Sequence, residues 1–176
     1  MNIEKWNKKI LLKDFIYKKQ YKNTFQLPSI ESICLKFNTK QVVKNSQNIF
    51  FCLGILEILT NQKSKISFAK KSIANFKVQK KMPLGCKITL RKIKKESFFT
   101  LFLFFILSKL DFQIKKNKNG FNLAIKSLVL MPQLSIVHNF NLNEFGFNLS
   151  FNFNVSDFIL FLSGFQIKEK YEKTEN

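Results

Sequence analysis

The sequence predicts an α+β protein: an antiparallel or mixed sheet with helices packed on one side, plus a basic projecting loop. Three observations lead there. Phe145, Phe147, Leu149, Phe151, Phe153 and Val155 share one parity, with Gly146, Asn148, Ser150, Asn152 and Asn154 between them; that is a strand with one dry face and one wet face. Other apolar runs show helical spacing, and helices and strands follow one another without regular alternation. Between Glu57 and Glu96 there is no acidic residue, yet Lys63, Lys65, Lys70, Lys71, Lys77, Lys80, Lys81, Lys87 and Arg91 are threaded with Ile66, Phe68, Ile73, Phe76, Val78, Ile88 and Leu90. A disordered basic tail would lack those apolar residues, and a membrane segment would lack the charges. A folded surface that lies along polyphosphate needs both.

In chain order, Ile3, Trp6, Ile10, Leu11 and Phe15 predict an amphipathic N-terminal helix over residues 3–21, with lysines outside. Gln26-Leu27-Pro28 forces an extended lead-in to a strand at Ile30–Phe37, whose apolar parity shifts after Ser32. Ser46 is placed to cap a helix running to Thr60, with Ile49, Phe50, Leu53, Leu56 and Ile58 to bury. Basic strands are expected around Ile66 and Phe76, with Ser72 in the connection. Met82-Pro83-Leu84-Gly85 reads as a turn dividing Phe76–Lys81 from Cys86–Ile93, in a hairpin or a longer projecting loop. A helix over Ser97–Leu110, a strand over Leu123–Leu130, the strand at 145–155 and a short helix over Asp157–Phe165 complete the fold. One domain spans residues 1–167, and residues 168–176 form a charged tail.

The 176 residues carry a formal charge of +19, from 30 basic and 11 acidic side chains. That excess repels itself and favours an anionic partner: nucleic acid first, an anionic membrane surface second. Every basic residue except Arg91 is lysine, and Phe, Asn and Ile are also abundant. Their codons are AT-rich, which points to an AT-rich, organellar genome. Arg91 is then the exception to explain, because its planar fork binds phosphate or a guanine edge at two points and an ammonium does not.

Cys34, Cys52 and Cys86 have no metal spacing and form no even disulfide set, so they read as buried or half-buried free thiols in a reducing compartment. Residues 1–14 lack a signal-peptide core and have no Arg, so an organellar protein of this kind is expected to be encoded where it works. Phe98–Leu107 is apolar but only half of the roughly 20 residues a spanning helix needs, and it reads as a core helix. The alternative function this run allows is that of a basic peripheral membrane-associated protein. His138 is the one histidine, without Cys or Asp nearby, and the 5 glycines form no phosphate-cradling loop. No catalytic residues, metal ligands or cofactor are expected, and no enzyme activity.

Asn61–Arg91 also carry a resemblance. Asn61-Gln62-Lys63, then Ala69-Lys70-Lys71-Ser72-Ile73-Ala74-Asn75-Phe76-Lys77, then Pro83-Leu84-Gly85-Cys86-Lys87-Ile88-Thr89-Leu90-Arg91 resemble, without a gap, the central block of the large-subunit ribosomal protein L-five family of bacterial and organellar type. Phe25-Gln26-Leu27-Pro28-Ser29-Ile30-Glu31-Ser32-Ile33 and Leu128-Val129-Leu130-Met131-Pro132 are similar to two further family motifs, so the resemblance spans about residues 20–155. It implies an α+β structural constituent of the large subunit's central protuberance that binds 5S rRNA and serves translation. It implies large-subunit rRNA, P-site tRNA, a small-subunit head protein across an intersubunit bridge and neighbouring central-protuberance proteins as partners, without membrane insertion. Carried over by position, the rRNA-binding residues are Asn38, Gln62, Lys63, Lys70, Lys71, Thr89 and Arg91, and the loop near tRNA comprises Lys77, Gln79, Lys80, Lys81 and Met82. Thr89 and Arg91 lie two positions apart on one strand face, and amides such as Asn38 and Gln62 suit 2′-hydroxyls and base edges. The chain departs from the family at Thr39–Val43, at Lys109–Gln113 and at a shortened loop, Lys116–Gly120. The expected location is the mitochondrial ribosome, with the plastid as alternative.

Overall fold

A computed structural model describes residues 7–37, 48–106, 113–117, 120–125, 128, 131–134, 146–154, 158–165 and 170–171. It is an α+β fold built on a mixed sheet. The strands are β1 (Ile30–Phe37), β2 (Lys65–Phe68), β3 (Pro83–Leu90), β4 (Gln113–Asn117), β5 (Gly120–Ile125), β6 (Phe147–Phe153) and β7 (Lys170–Tyr171). Their order across the sheet is β2-β3-β1-β6-β5-β4-β7. The helices are α1 (Leu12–Lys19), α2 (Asn48–Thr60), α3 (Lys92–Leu101) and α4 (Phe158–Gly164). The chain groups into two compact units: unit 1 is Met1–Ile33, Arg91–Leu123 and Ser150–Asn176, and unit 2 is Cys34–Leu90 and Ala124–Leu149.

Unit 1 has an aromatic core. α1 follows one π-helical turn (Asn7–Leu11); Leu11 of the turn and Phe15 of the helix are buried. It ends at Gln20, whose left-handed backbone lets its N–H donate to the Ile16 carbonyl at 2.8 Å. Phe121 of β5 stacks on Phe151 of β6 at 4.5 Å, and Phe102 meets Phe151 at 5.0 Å. Phe99 of α3 packs edge-on against Phe165 at 5.3 Å, and Phe153 packs edge-on against Phe161 of α4 at 5.3 Å. Such tilted and offset rings add to the hydrophobic gain from their burial. Gly120 is required where β5 approaches β6, because a Cβ there would collide with the Phe151 carbonyl oxygen. β4 pairs antiparallel with β5, and β7 runs parallel to β4 through Gln113↔Lys170 and Ile114↔Tyr171.

Unit 2 buries aliphatic side chains and thiols. α2 packs on β3, covering Ile49, Cys52, Ile55, Leu56 and Leu59 on the helix and Cys86, Ile88 and Leu90 on the strand. Phe37 and Phe147 meet at 5.5 Å. The Cys86 thiol is held above its ordinary value, first by its hydrogen bond with Cys52 and then by burial. Cys34 is half-buried, and Cys34, Cys52 and Cys86 are free thiols.

Several sequence expectations hold. β1 has the expected bounds, and its buried parity shifts after Ser32, giving Ile30 and Ser32, then Ile33, Leu35 and Phe37. β6 alternates as read, with Phe147, Leu149, Phe151 and Phe153 all buried. Others need correction. Phe50 and Ile58 of α2 are exposed, while Cys52, Ile55 and Leu59 take the core; a helix apolar on nearly every side gives periodicity nothing to choose with. Phe76 lies in a 3-10 turn (Ala74–Phe76) rather than a strand. Pro83, Leu84 and Gly85 belong to β3 and not to a turn, and Gly85 has no positive φ. α3 starts at Lys92, five residues early, and runs into a π-helical segment at Phe102–Ile106. β5 starts at Gly120, three residues early, and β4 (Gln113–Asn117) takes Lys116 and Asn117 of the expected loop Lys116–Gly120. In the expected tail, Lys170–Tyr171 form β7. Ile3, Trp6, Asn38, Ser46, His138, Phe145 and Val155 lie outside the described residues. Among the described residues, no helix is long and apolar enough to cross a membrane.

Candidate nucleic-acid interface

The alternation of β3 creates a face. Cys86, Ile88 and Leu90 turn into the core of unit 2, so Lys87 and Thr89 are exposed. Arg91 follows the last strand residue with φ −138° and ψ 164°, still extended. It therefore keeps the parity of Lys87 and Thr89 and is exposed like them.

Register adds what the sequence alone did not show. β2 pairs antiparallel with β3 through Lys65↔Lys87, Ile66↔Cys86, Ser67↔Gly85 and Phe68↔Pro83, with an irregularity after Ser67. Lys65 and Lys87 are thus directly opposed like charges on one face, an arrangement that destabilises a free sheet. On the neighbouring strand β1, the Thr89 hydroxyl donates to Cys34 Sγ at 3.7 Å. Lys36, two residues on from Cys34, is half-buried. Lys36, Lys65 and Lys87 were absent from the expected site. Period-2 alternation could have placed Lys87 beside Thr89, but only the pairing could place Lys65 opposite Lys87.

Gln62 joins this face from the turn after α2. Its Nε2 donates to the Thr89 carbonyl at 3.3 Å. The turn is held by Glu57, whose carboxylate accepts from the Ser64 N–H at 3.1 Å and from the Ser64 hydroxyl at 3.2 Å. Asn61 takes the left-handed backbone that ends α2, with φ 50° and its N–H on the Glu57 carbonyl at 2.8 Å. Lys63 stands exposed beside Gln62. The structure therefore gathers Gln62, Lys63 and Thr89 in unit 2; Arg91 belongs to unit 1, and Asn38 is outside the described residues.

Lys70, Lys71, Lys77, Gln79, Lys80, Lys81 and Met82 stand apart on the β2–β3 connection. Its base is closed by Ala69 N–H to the Met82 carbonyl at 2.8 Å and Lys81 N–H to the Ala69 carbonyl at 3.0 Å. Ile73 and Val78 exchange backbone hydrogen bonds at 2.9 and 3.2 Å around the tip, and Ser72 Oγ accepts from the Lys80 N–H at 3.0 Å. Lys77 (φ 53°) and Lys81 (φ 68°) take the left-handed conformations that glycine would adopt more readily. The loop is therefore a hydrogen-bonded hairpin. Its lysines and Gln79 are exposed, and Met82 is half-buried. Among the described residues, no group of His, Cys, Asp and Glu could hold a metal ion.

Chemically, the unit 2 strand face offers a hydroxyl, an amide and ammonium groups, Arg91 of unit 1 offers a guanidinium, and the hairpin offers point charges. Groups of these kinds can meet phosphate oxygens, 2′-hydroxyls and base edges. The class defined is a small basic α+β protein with a cationic strand face over a packed core.

Comparison with known proteins narrows the class to a family. Residues 23–79 match the family described as Ribosomal protein L5. The chain is 31% identical over 137 residues to Large ribosomal subunit protein uL5 of Clostridium tetani, covering 74% of this chain and 76% of that one. It is 33% identical over 138 residues to Large ribosomal subunit protein uL5m of Reclinomonas americana, covering 75% and 76%. It is 33% identical over 122 residues to Large ribosomal subunit protein uL5c of Chlorokybus atmophyticus, covering 66% of each. The chain belongs to the uL5 family of large ribosomal subunit proteins.

Proposed function

We propose that this chain is a structural constituent of the large ribosomal subunit that binds 5S rRNA through Gln62, Lys63, Thr89 and Arg91, with Asn38 carried over by position. The observation that carries this reading is the opposed pair Lys65↔Lys87 on the face of Thr89. The free sheet loses stability by holding two like charges together, and RNA phosphates turn that loss into binding. Lys70 and Lys71 extend the cationic surface into the β2–β3 hairpin. Lys77, Gln79, Lys80, Lys81 and Met82 then approach P-site tRNA, where charge without sequence readout suffices. Family membership supports a site in the central protuberance, a bridge to a small-subunit head protein and contacts with neighbouring protuberance proteins. The Lys-, Asn-, Phe- and Ile-rich composition supports an organellar ribosome, mitochondrial ahead of plastid.

The test is binding of the purified chain to its own 5S transcript, to an unrelated RNA of equal length and to heparin. Specific binding to 5S is expected, and Arg91→Ala should weaken it by about 1–3 kcal/mol, the range for a two-point base contact. Binding of the unrelated RNA should weaken less, by the electrostatic share of one lost cation alone. Equal affinity for all three polyanions defeats the reading.

A further inference from the structure

Phe25 and Tyr17 are the most exposed large apolar side chains among the described residues, at 91% and 84%. Both lie in unit 1, in the N-terminal segment, outside every position assigned above. The backbone carrying Phe25 is fixed. Asn154 Nδ2 donates to the Phe25 carbonyl at 3.4 Å and to the Leu27 carbonyl at 2.9 Å, and Asn154 Oδ1 accepts from the Ser29 N–H at 2.8 Å. The Gln26 N–H closes a turn on the Asn23 carbonyl at 3.1 Å. A ring held in water by so many hydrogen bonds to its own backbone segment is presented, not frayed.

The surroundings are cationic. Leu11 and Phe15 point inward from the helical segment, and Lys9, Lys13 and Tyr17 are exposed, four residues apart, away from them. Lys18, Lys19 and Lys22 follow. The acidic residue of the segment, Asp14, is engaged by Lys18 at 2.6 Å. Exposed rings beside the exposed Lys9, Lys13 and Lys22 match RNA, whose unpaired bases stack on aromatic faces while its phosphates meet ammonium groups. An apolar protein surface would leave the lysines without partners.

We infer that this N-terminal segment is a second RNA contact, in which Phe25 and Tyr17 stack on unpaired bases of the long large-subunit rRNA and Lys9, Lys13 and Lys22 hold its phosphates. The long RNA is chosen over 5S because the 5S-facing amide, hydroxyl and guanidinium set is built on other elements. The inference rests on the ribosomal reading but on different residues.

The chain has one tryptophan, Trp6. In full-length protein carrying Trp6→Phe and Phe25→Trp, the only indole sits at position 25. Its emission should be quenched on titration with the isolated long large-subunit rRNA and unchanged by heparin, which has charge but no bases. Phe25→Ser should weaken binding of the long rRNA about tenfold, as loss of one stacked base does. It should leave 5S affinity and thermal stability as they were, since the ring is exposed. Retained affinity in Phe25→Ser, quenching by heparin, or quenching by the 5S transcript alone would each overturn the inference. A blue shift with RNA-free large-subunit proteins and none with rRNA would assign the surface to protein and overturn it too. Arg91→Ala binding to 5S, measured in parallel, reports on the broader reading separately.

Discussion

The cores of unit 1 and unit 2 are built by different chemistry. In unit 1, Phe151 has ring neighbours at 4.5 Å (Phe121), 5.0 Å (Phe102) and 6.3 Å (Phe99). In unit 2, Phe147, four residues earlier in β6, meets Phe37 at 5.5 Å. Unit 2 also carries the opposed lysines, Thr89 and the basic hairpin. Large rings supply the most apolar burial per residue, whereas the short branched side chains of β3 leave its other face to polar residues. The closest ring packing described lies in unit 1, and the directly opposed like charges lie in unit 2. Substitutions in the two should separate into effects on folding and effects on binding.

The sharpest way to break this contrast uses β6 itself. Phe147 and Phe151 are both buried, at 2% and 1% exposure, so Phe→Leu is the same chemical change at each. Each ring–ring contact is worth about 0.5–1.5 kcal/mol beyond area. Phe151→Leu should therefore cost roughly 1–3 kcal/mol more than Phe147→Leu in urea unfolding. Equal costs would mean that the aromatic cluster adds nothing specific, and the contrast would fail.

The next effect belongs to the thiols beneath the strand face. An unfolded Cys86 ionises near 9.0, while the folded thiol, sharing a hydrogen bond with Cys52 and buried, keeps its proton well above that. Above pH 9.0 the unfolded chain then binds fewer protons at this site than the folded one. The derivative of stability with pH is negative there: the contribution is complete below the unfolded value and is lost as pH rises. The slope approaches about −1.4 kcal/mol per pH unit for one proton. The same hydrogen bond lowers the Cys52 thiol, so the folded pair gives up its first proton below 9.0, where stability rises with pH, and keeps its second above it. Relative to Cys86→Ala, whose buried Cys52 thiol lacks that hydrogen bond, denaturant midpoints of the native chain should rise on approach to pH 9.0 and then fall. Parallel curves would show that the pair titrates as it does in the unfolded state.

How much of this was legible beforehand follows from where the signal is local. Alternation in β6 and the parity shift in β1 are properties of neighbouring residues, and the sequence shows both. Only part of the buried face of α2 was legible: Ile49 and Leu56 are buried as expected, but Phe50 and Ile58 are as apolar as the Ile55 and Leu59 that the core takes. The hairpin turn was misplaced at Gly85 because glycine and proline are the usual signals, while Lys77 and Lys81 accept the left-handed backbone here. Thr89 and Arg91 could be placed on one face from spacing alone. Lys65 opposite Lys87 could not, because strand register is a tertiary property.

That register supports the smallest prediction, and it has opposite signs in the free and bound protein. Lys87→Glu replaces a repelling cross-strand pair with an attracting one. It should stabilise the isolated chain by about 0.2–1 kcal/mol in denaturant unfolding. The same change removes one cation and adds an anion on the face proposed to meet RNA. Affinity for the 5S transcript should fall, and the slope of log K against log salt should flatten by about 1–2. Lys70→Glu, on the hairpin and outside the paired residues of β2 and β3, should weaken RNA binding without stabilising the chain. If Lys87→Glu leaves stability unchanged or lowers it, the pair is not strained in the free protein. Unit 2 then holds no stored repulsion for RNA to relieve, and its contrast with unit 1 reduces to the composition of the two cores.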